Sequence, residues 1–168
     1  ISDRVVKKGD DEIQVIPFSL SLFPPISTGN PDEGKKSRHY MAFNLLAGES
    51  DELFGLGFGG VNLVYQGGGG GLVSWWANWV TGDFGGVQAS AILNYNAGVF
   101  SGVQASAVGN INLKDFSGAQ FSAVFNVSGG NFFGLQSSAV LNFNAGDLKG
   151  LQLSIVNISK SASSQVGI

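Results

Sequence analysis

The sequence predicts an all-β protein, in the form of an antiparallel up-and-down β-barrel of outer-membrane type with about 8–10 strands. Three observations support this prediction: a 16-residue repeat, alternation of apolar and polar residues within each repeat, and a scarcity of charge in the repeated part. One repeat then supplies one strand. A β-solenoid with one coil per repeat is the alternative.

The repeat runs from Gly86 to Asn157 and places three polar residue types in fixed phases. Such self-similarity is the signature of one supersecondary unit that stacks on copies of itself. The last unit is one residue shorter between Ser154 and Asn157, and Gln165–Ile168 resembles the start of a sixth unit, after which the natural chain could continue. The phases are Gln88, Gln104, Gln120, Gln136 and Gln152; Ser90, Ser106, Ser122, Ser138 and Ser154; and Asn62, Asn78, Asn94, Asn110, Asn126 and Asn142.

Within a unit such as 86–96, apolar and polar residues alternate over about ten positions, which favours a strand over a helix. A tilted strand of roughly 9–11 residues is long enough to span a membrane. Each unit also has one cluster of turn residues, as at Asn96–Gly98, whereas a two-sheet coil needs two reversals. Asp83, Asp115 and Asp147 recur every 32 residues, as if alternate turns lay at opposite ends of a barrel. The near-identity of the units favours the β-solenoid instead, because parallel stacking of identical residues lets Gln and Asn side chains form hydrogen-bond ladders.

The chain divides into a polar N-terminal arm, residues 1–12, and a single β domain, residues 13–168. Residues 13–84 are predicted as irregular strands with a charged loop at 27–38, and residues 85–168 as the 16-residue repeats. Gly67–Gly71 is predicted as a flexible break before the last irregular strand. The irregular strands are Ile13–Leu22, His39–Gly48, Leu53–Gln66 and Leu72–Val80.

Charge is concentrated near the N-terminus. Only 12% of the residues are charged, and residues 1–52 hold six of the nine Lys and Arg and nine of the twelve Asp and Glu. A surface so poor in charge is expected to face membrane lipid or other envelope subunits, in a homo- or hetero-oligomer, rather than bulk water. The net charge of −3 makes nucleic acid an unexpected partner. There are no cysteines, and no run of 18 apolar residues predicts a transmembrane helix.

No catalytic, cofactor-binding or metal-binding residues are predicted, and the chain is not expected to be an enzyme. His39, the single histidine, is predicted to lie solvated at the edge of the charged loop, without the partners of a metal site or a catalytic triad. Gly67–Gly71 lacks the Gly-Lys-Ser/Thr of a phosphate-binding loop. The sequons at Asn126 and Asn157 fall inside the repeats and are interpreted as coincidental.

The surroundings of three sets of repeated or clustered side chains can be predicted from the sequence. The Gln, Ser and Asn columns are predicted to form an internal hydrogen-bond ladder rather than a carbohydrate- or ice-binding lattice. The three tryptophans predict a membrane–water interface or a packed face. The phenylalanines that recur beside the turns would form an aromatic girdle in a barrel, or a stacked core column in a solenoid. These aromatic residues are Trp75, Trp76 and Trp79, and Phe84, Phe100, Phe116 and Phe132.

The units resemble the tandem surface-repeat proteins of Gram-negative bacteria, whose repeat reads roughly Gly-[Leu/Val]-Gln-x-[Gly/Ser]-x-x-Asn. Residues 150–157, GLQLSIVN, fit that spacing, while the other units carry one extra residue before the Asn. The resemblance covers residues 13–168 and implies an exported protein in the outer membrane or at the cell surface. The predicted function is therefore a non-enzymatic structural or accessory protein there, as a subunit of a larger envelope complex. The alternative is a secreted β-solenoid that forms a filament or surface layer.

Overall fold

The strands of the repeats pair in parallel and in register, residue i beside residue i+16. Gln104, for example, lies beside Gln120, and Phe100 beside Phe116. The computed structural model describes residues 4–24 and 26–166, with side chains described to residue 161. In this part of the chain the protein is all-β, without a helix, and stacks its coils into a β-solenoid. The predicted antiparallel barrel is wrong, because an up-and-down barrel requires antiparallel neighbours.

Thirteen strands make up the described residues. The long β4 passes through several successive coils, so it is one strand in name and several segments of the stack in space. The strands are β1 Arg4–Lys8, β2 Asp11–Phe23, β3 Ile26–Ser27, β4 Lys36–Val80, β5 Asp83–Ser90, β6 Leu93–Asn96, β7 Phe100–Ser106, β8 Gly109–Asn112, β9 Phe116–Ser122, β10 Phe125–Ser128, β11 Phe132–Ser137, β12 Leu141–Leu153 and β13 Val156–Val166.

Each 16-residue coil contains a longer strand, a corner, a shorter strand and a second corner. In the first regular coil these are β5, the bend at Ala91–Ile92, β6 and the segment 97–99. Longer strands stack on longer ones and shorter on shorter, which gives two stacks of parallel strands that β4 and β12 join into one continuous sheet. The expectation of one reversal per repeat is therefore wrong: the second reversal is made by Ala–Ile or Ala–Val and contains no Gly or Pro. In the last coil, β13 pairs one position out of phase, Leu141 beside Val156, which accommodates the shorter repeat.

The N-terminal part closes one end of the stack. β1 pairs antiparallel with β2, and β2 then pairs in parallel with the start of β4. β1 lies within the segment predicted as the polar arm; residues 1–3 lie outside the described residues. The charged loop is shorter than 27–38, since β3 ends at Ser27 and β4 begins at Lys36. Gly67–Gly71 is not a flexible break, because it pairs in register with residues 83–87 of β5.

The interior combines one aromatic column with two amide ladders. Phe84, Phe100, Phe116 and Phe132 are buried and stack face to face, with ring centroids 6.1, 5.2 and 4.8 Å apart. This is the core column expected of a solenoid and not a girdle. Each buried Phe removes roughly 150–250 Å² from water, which makes this column the main apolar contribution of the repeats.

The Gln and Asn columns form the predicted internal hydrogen-bond ladders, but the Ser column does not: the hydroxyl oxygens of Ser90, Ser106 and Ser122 are buried without a hydrogen-bond partner. Each Gln donates its Nε2–H to the Oε1 of the Gln one coil earlier at 2.7–2.9 Å, from Gln152 back to Gln88. Asn side chains do the same in the other direction over seven bonds of 2.7–3.1 Å, from Asn44 to Asn157. These amides are buried, but each of these bonds satisfies one donor and one acceptor, which offsets the cost of removing them from water.

One glycine column follows from the close approach of neighbouring coils. Gly102 has φ of 138°, and a Cβ there would meet the carbonyl oxygen of Gly86 at 1.9 Å. The same conflict recurs once per coil down to Gly150. Any other residue would strain the backbone and push the coils apart, which explains why Gly opens every repeat.

Candidate functional surface

The repeats reverse the usual distribution of polarity, with amides inside and apolar side chains outside. Four surfaces result from the cross-section of the coil: two flat faces, formed by the longer and the shorter strands, and two edges, formed by the corners. The coil presents the same four surfaces on every rung. A candidate binding surface on the repeats is therefore a column or a strip that continues from rung to rung.

The acidic edge consists of the corners that carry Asp83, Val99, Asp115, Asn131 and Asp147. Its side chains bond the next coil: the Val99 N–H donates to Asp83 Oδ1 at 2.7 Å, and the Asn131 N–H to Asp115 Oδ1 at 2.8 Å. The Asp147 N–H likewise donates to Asn131 Oδ1 at 3.1 Å. These acids thus cap backbone donors. The prediction that alternate turns lie at opposite ends is wrong, since Val99 and Asn131 occupy the same edge as the acids.

The apolar edge lies on the opposite side of the coil and consists of two consecutive exposed residues per rung. Ile92 is 47% exposed and Val124 is 40% exposed, although both belong to the phase predicted to be polar. Backbone N–H groups at this corner donate to the coil before, as from Ile92 to Trp76 and from Val140 to Val124, so the corner is an ordered part of the ladder. The six rungs are Trp75–Trp76, Ala91–Ile92, Ala107–Val108, Ala123–Val124, Ala139–Val140 and Ile155–Val156.

The two flat faces are also apolar. The first face, formed by the longer strands, presents Val87, Val103, Phe121 and Phe133 as exposed side chains. The second face, formed by the shorter strands, presents the column Tyr95, Ile111, Val127 and Phe143, which are paired in register. Lys149, near the acidic edge, is the charged side chain that interrupts the first face between β5 and β12. Between β5 and β12 the exterior thus carries one charge, Lys149, outside the acidic edge, and the exposed polar residues Ser101 and Ser117 lie in the same column of the first face.

The tryptophans divide between two surfaces. Trp75 and Trp76 occupy the first rung of the apolar edge and are 64% and 47% exposed. Trp79 lies on the second face and stacks on Tyr95 with ring centroids 4.0 Å apart. Trp79 therefore has a packing role within the protein, whereas the other two present large apolar surface to the exterior.

The N-terminal end carries an ion triad built around one buried carboxylate. The Glu52 carboxylate is 3% exposed and bonds Lys8 Nζ at 2.6 Å and Arg38 Nη2 at 2.5 Å. Burial alone would raise the pKa of Glu52, but the hydrogen bonds and charges of Lys8 and Arg38 outweigh it and lower the pKa. This triad joins β1 to β4. Its hydrogen bonds give it the role of a structural clamp.

His39 was predicted to be a solvated loop residue, and this prediction is wrong. Its side chain is 2% exposed on β4, and Nε2 lies 3.1 Å from the Gly29 carbonyl oxygen. Burial lowers its pKa, against the opposing effects of the Gly29 bond and the Asp51 carboxylate. Ser37 and His39 are buried on one side of β4, with the partly exposed Lys36 and Arg38 between and beside them, an alternation that the adjacent charged loop obscured in the sequence.

The loop at 28–35 is held by its own bonds rather than presented freely. The Asp32 N–H donates to Gln14 Oε1 at 2.8 Å, and Lys35 Nζ pairs with the Asp32 carboxylate at 2.9 Å. Lys36 Nζ bonds Asp11 at 2.6 Å, which attaches the start of β4 to the start of β2. The hydrogen bond to Asp32 raises the pKa of Lys35.

Among residues 4–24 and 26–166, no group of three or more His, Asp or Glu side chains is arranged to hold a metal ion. The sequon residue Asn126 is buried within the Asn ladder, which leaves it inaccessible to a glycan-transferring enzyme. In the described part of the chain, no helix is both long and apolar enough to cross a lipid bilayer.

The sequence analysis missed the apolar edge, although its signal is present in every repeat. Ile92, Val108, Val124 and Val140 interrupt the polar phase at one position per unit. The structure confirms the tandem repeat with its stacked amide ladders. No protein family, curated protein or solved structure matches the chain.

Proposed function

We propose that the chain is a non-enzymatic structural protein, exported to the outer membrane or cell surface of a Gram-negative bacterium, whose copies pack side by side into a filament or surface layer. The observation that carries the proposal is the pair of flat, apolar faces on opposite sides of the solenoid. The resemblance of the repeats to tandem surface-repeat proteins supports the cellular location.

The dimensions of the faces fit such packing. Six rungs, from residues 67–74 of β4 to β12, extend about 24 Å along the axis, and a seven-residue strand about 20 Å across it. The first face thus offers about 480 Å², and the second face, whose strands of four residues are about 13 Å across, offers about 310 Å². One contact between them buries about 600 Å² in total, less than a standard interface, so each copy must be held by contacts on both of its faces. Both faces repeat their side chains at the same rung spacing, so the ridges of one can enter the grooves of the other, as in a dry steric zipper.

Contact between the first face of one copy and the second face of the next is heterologous and does not close on itself. Such contacts generate open assemblies rather than dimers. Growth from the β1 end is opposed by Arg4, Lys7 and Lys8, because charged edge strands discourage further strand addition. Assembly is therefore expected to proceed sideways.

Electron microscopy and sedimentation of the purified chain test this proposal. Ribbons, meaning copies packed side by side through their flat faces, are the assemblies expected in the microscope. Ile111→Asp places a carboxylate in the centre of the second face and is expected to abolish these ribbons. Val99→Asp adds the same charge to the acidic edge, where Asp83 and Asp115 already stand, and is expected to leave them intact. A chain that sediments as a monomer at every concentration and forms no ribbons would contradict the proposal.

A further inference from the structure

The apolar edge is a continuous strip that the packing of flat faces leaves uncovered. It comprises the six rungs from Trp75–Trp76 to Ile155–Val156, none of them charged. Its members are exposed on every rung, for example Val108 at 38% and Val140 at 46%. Contiguous exposed apolar surface, unlike apolar side chains scattered singly, marks a site of interaction with a protein or a membrane.

The strip is too narrow for a stable protein partner. Five intervals of about 4.8 Å give a length of about 24 Å, and two residues per rung give a width of about 7 Å. The resulting area of roughly 170 Å² is far below the ~800 Å² per partner of a stable protein interface. A second copy docked through this strip alone would not be held.

The charges lie on the far side of the coil from the strip. Asp83, Asp115 and Asp147 line the acidic edge, and Lys114 and Lys149 lie beside them. The solenoid therefore has an amphipathic cross-section along its whole repeated length, like an amphipathic helix at a membrane surface. Trp75 and Trp76, both largely exposed, stand at one end of the strip, and Trp favours the interface between lipid and water.

We propose that the apolar edge is a lipid-binding surface, with which the solenoid lies along a bilayer and inserts its Ala–Val corners between the headgroups. The strip carries no Lys or Arg, so the attraction is hydrophobic and requires no anionic lipid. The acidic edge then faces water. This orientation leaves both flat faces free, so the inference goes beyond lateral assembly and does not depend on it.

Vesicles of pure phosphatidylcholine and the full chain provide the test. The chain is expected to float with the vesicles, in low and high salt alike, and its tryptophan emission is expected to shift to the blue. The double variant Val108→Asp, Val124→Asp is expected to weaken binding about tenfold or more, since it places two charges in the inserted strip. The matched variant Val99→Asp, Asn131→Asp adds two carboxylates to the acidic edge and is expected to bind as the native chain does.

Circular dichroism and thermal unfolding confirm that both double variants remain folded before binding is compared. Absence of flotation, flotation only with anionic lipid in low salt, or equal losses in the two double variants would each overturn the proposal. Ile111→Asp distinguishes it from lateral assembly: this variant is expected to lose ribbons and still bind vesicles. If ribbons fail in the native chain while vesicle binding persists, the layer proposal is wrong and the lipid-binding surface stands.

Discussion

The N-terminal part of the solenoid, Arg4–Val80, and the repeats, Asp83–Val156, share parallel stacking but differ in what fills their interior. In the repeats Gln104, Gln120 and Gln136 each meet an identical Gln above and below, and Gln88 ends the ladder beside Leu72. The N-terminal part instead buries His39 and the Glu52 carboxylate of an ion triad. A coil within a series can satisfy its amides with its neighbours. The first coil has no neighbour on one side, so it ends in a charged antiparallel strand instead.

The difference shows two ways in which buried polar groups obtain hydrogen-bond partners in this protein. Amide ladders are neutral and extend without limit, but every rung must carry the same residue. The Lys8–Glu52–Arg38 triad is charged and occurs once, and its geometry ends the series. Substitutions that place a charge in the neutral interior, or remove it from the charged one, test this difference between the two regions. The expected effects are given from the largest to the smallest.

A charge in the Gln ladder is expected to have the largest effect. Gln120→Glu would place a carboxylate, fully buried, between the amides of Gln104 and Gln136. The expected loss is about 4 kcal/mol at neutral pH, because an uncompensated buried charge is destabilising by roughly 3–5 kcal/mol. Denaturant unfolding measures it. Ser117→Glu, exposed on the same strand, is the control, and equal losses in the two would show that the column is not buried.

Loss of the Lys8–Glu52–Arg38 triad is expected to lower the free energy of unfolding by less than a charge in the Gln ladder does. Glu52→Gln leaves Arg38 and Lys8 without a carboxylate and should destabilise the protein by about 2–3 kcal/mol. Because the pKa of Glu52 is lowered from 4.5, the native chain should hold this stabilisation above pH 4.5 and lose it as the pH falls through the lower folded value. Unfolding measured against pH checks both points; the exposed Glu33→Gln should change neither.

A substitution in the glycine column is expected to have the next largest effect on stability. Gly102→Ala combines φ of 138° with a Cβ 1.9 Å from the Gly86 oxygen, and should destabilise the protein by about 2 kcal/mol. At Gly85 the nearest atom to a new Cβ is 3.8 Å away, and the residues in register below it are Ser101 and Ser117. Gly85→Ala should therefore be neutral. Thermal unfolding of the pair decides whether coil spacing sets the glycine.

The smallest effect is expected from His39. Its folded pKa is below the unfolded value of 6.5, so the unfolded chain binds the proton more readily. The stability is full above pH 6.5 and decreases as the pH falls below it. His39→Gln should remove this part of the pH dependence while leaving the acid transition of Glu52. Hydrogen exchange of β2 and β4 between pH 7 and pH 5 measures this change in the free energy of unfolding. If the slope of that free energy against pH is the same in the variant and the native chain, His39 is accessible to water.

Much of the architecture could be predicted from the repeat, including the polar interior and the all-β class. The choice between barrel and solenoid could not, and the corner explains why. Gln88 and Asn94 both point inward, and the two corner residues between them, Ala91 and Ile92, preserve the even-numbered phase. A bent coil therefore reads as one straight strand of about ten residues. Polar-inside alternation is common to membrane barrels and to this solenoid.

The exposed apolar edge was missed for the same reason. Turn prediction relies on Gly, Pro, Asn and Asp, and a corner made of Ala–Val has none of them. Its backbone is held by the coils above and below, as in the bond from Val124 to Val108, and not by local turn chemistry. Only the apolar residue in the polar phase marked it. The buried His39 shows the same limit, because its environment is made by distant Gly29 and Asp51.

Crosslinking of outward-facing cysteine pairs in the first and second faces tests parallel, in-register stacking most directly. Val103 and Ala119 pair in register on the first face, with Cα atoms about 4.8 Å apart, which is within disulfide range. Ile111 lies on the second face, although an antiparallel meander would bring it beside Ala119. The solenoid predicts an efficient disulfide in the Val103→Cys, Ala119→Cys chain and none in the Ile111→Cys, Ala119→Cys chain. The reverse result would contradict the solenoid.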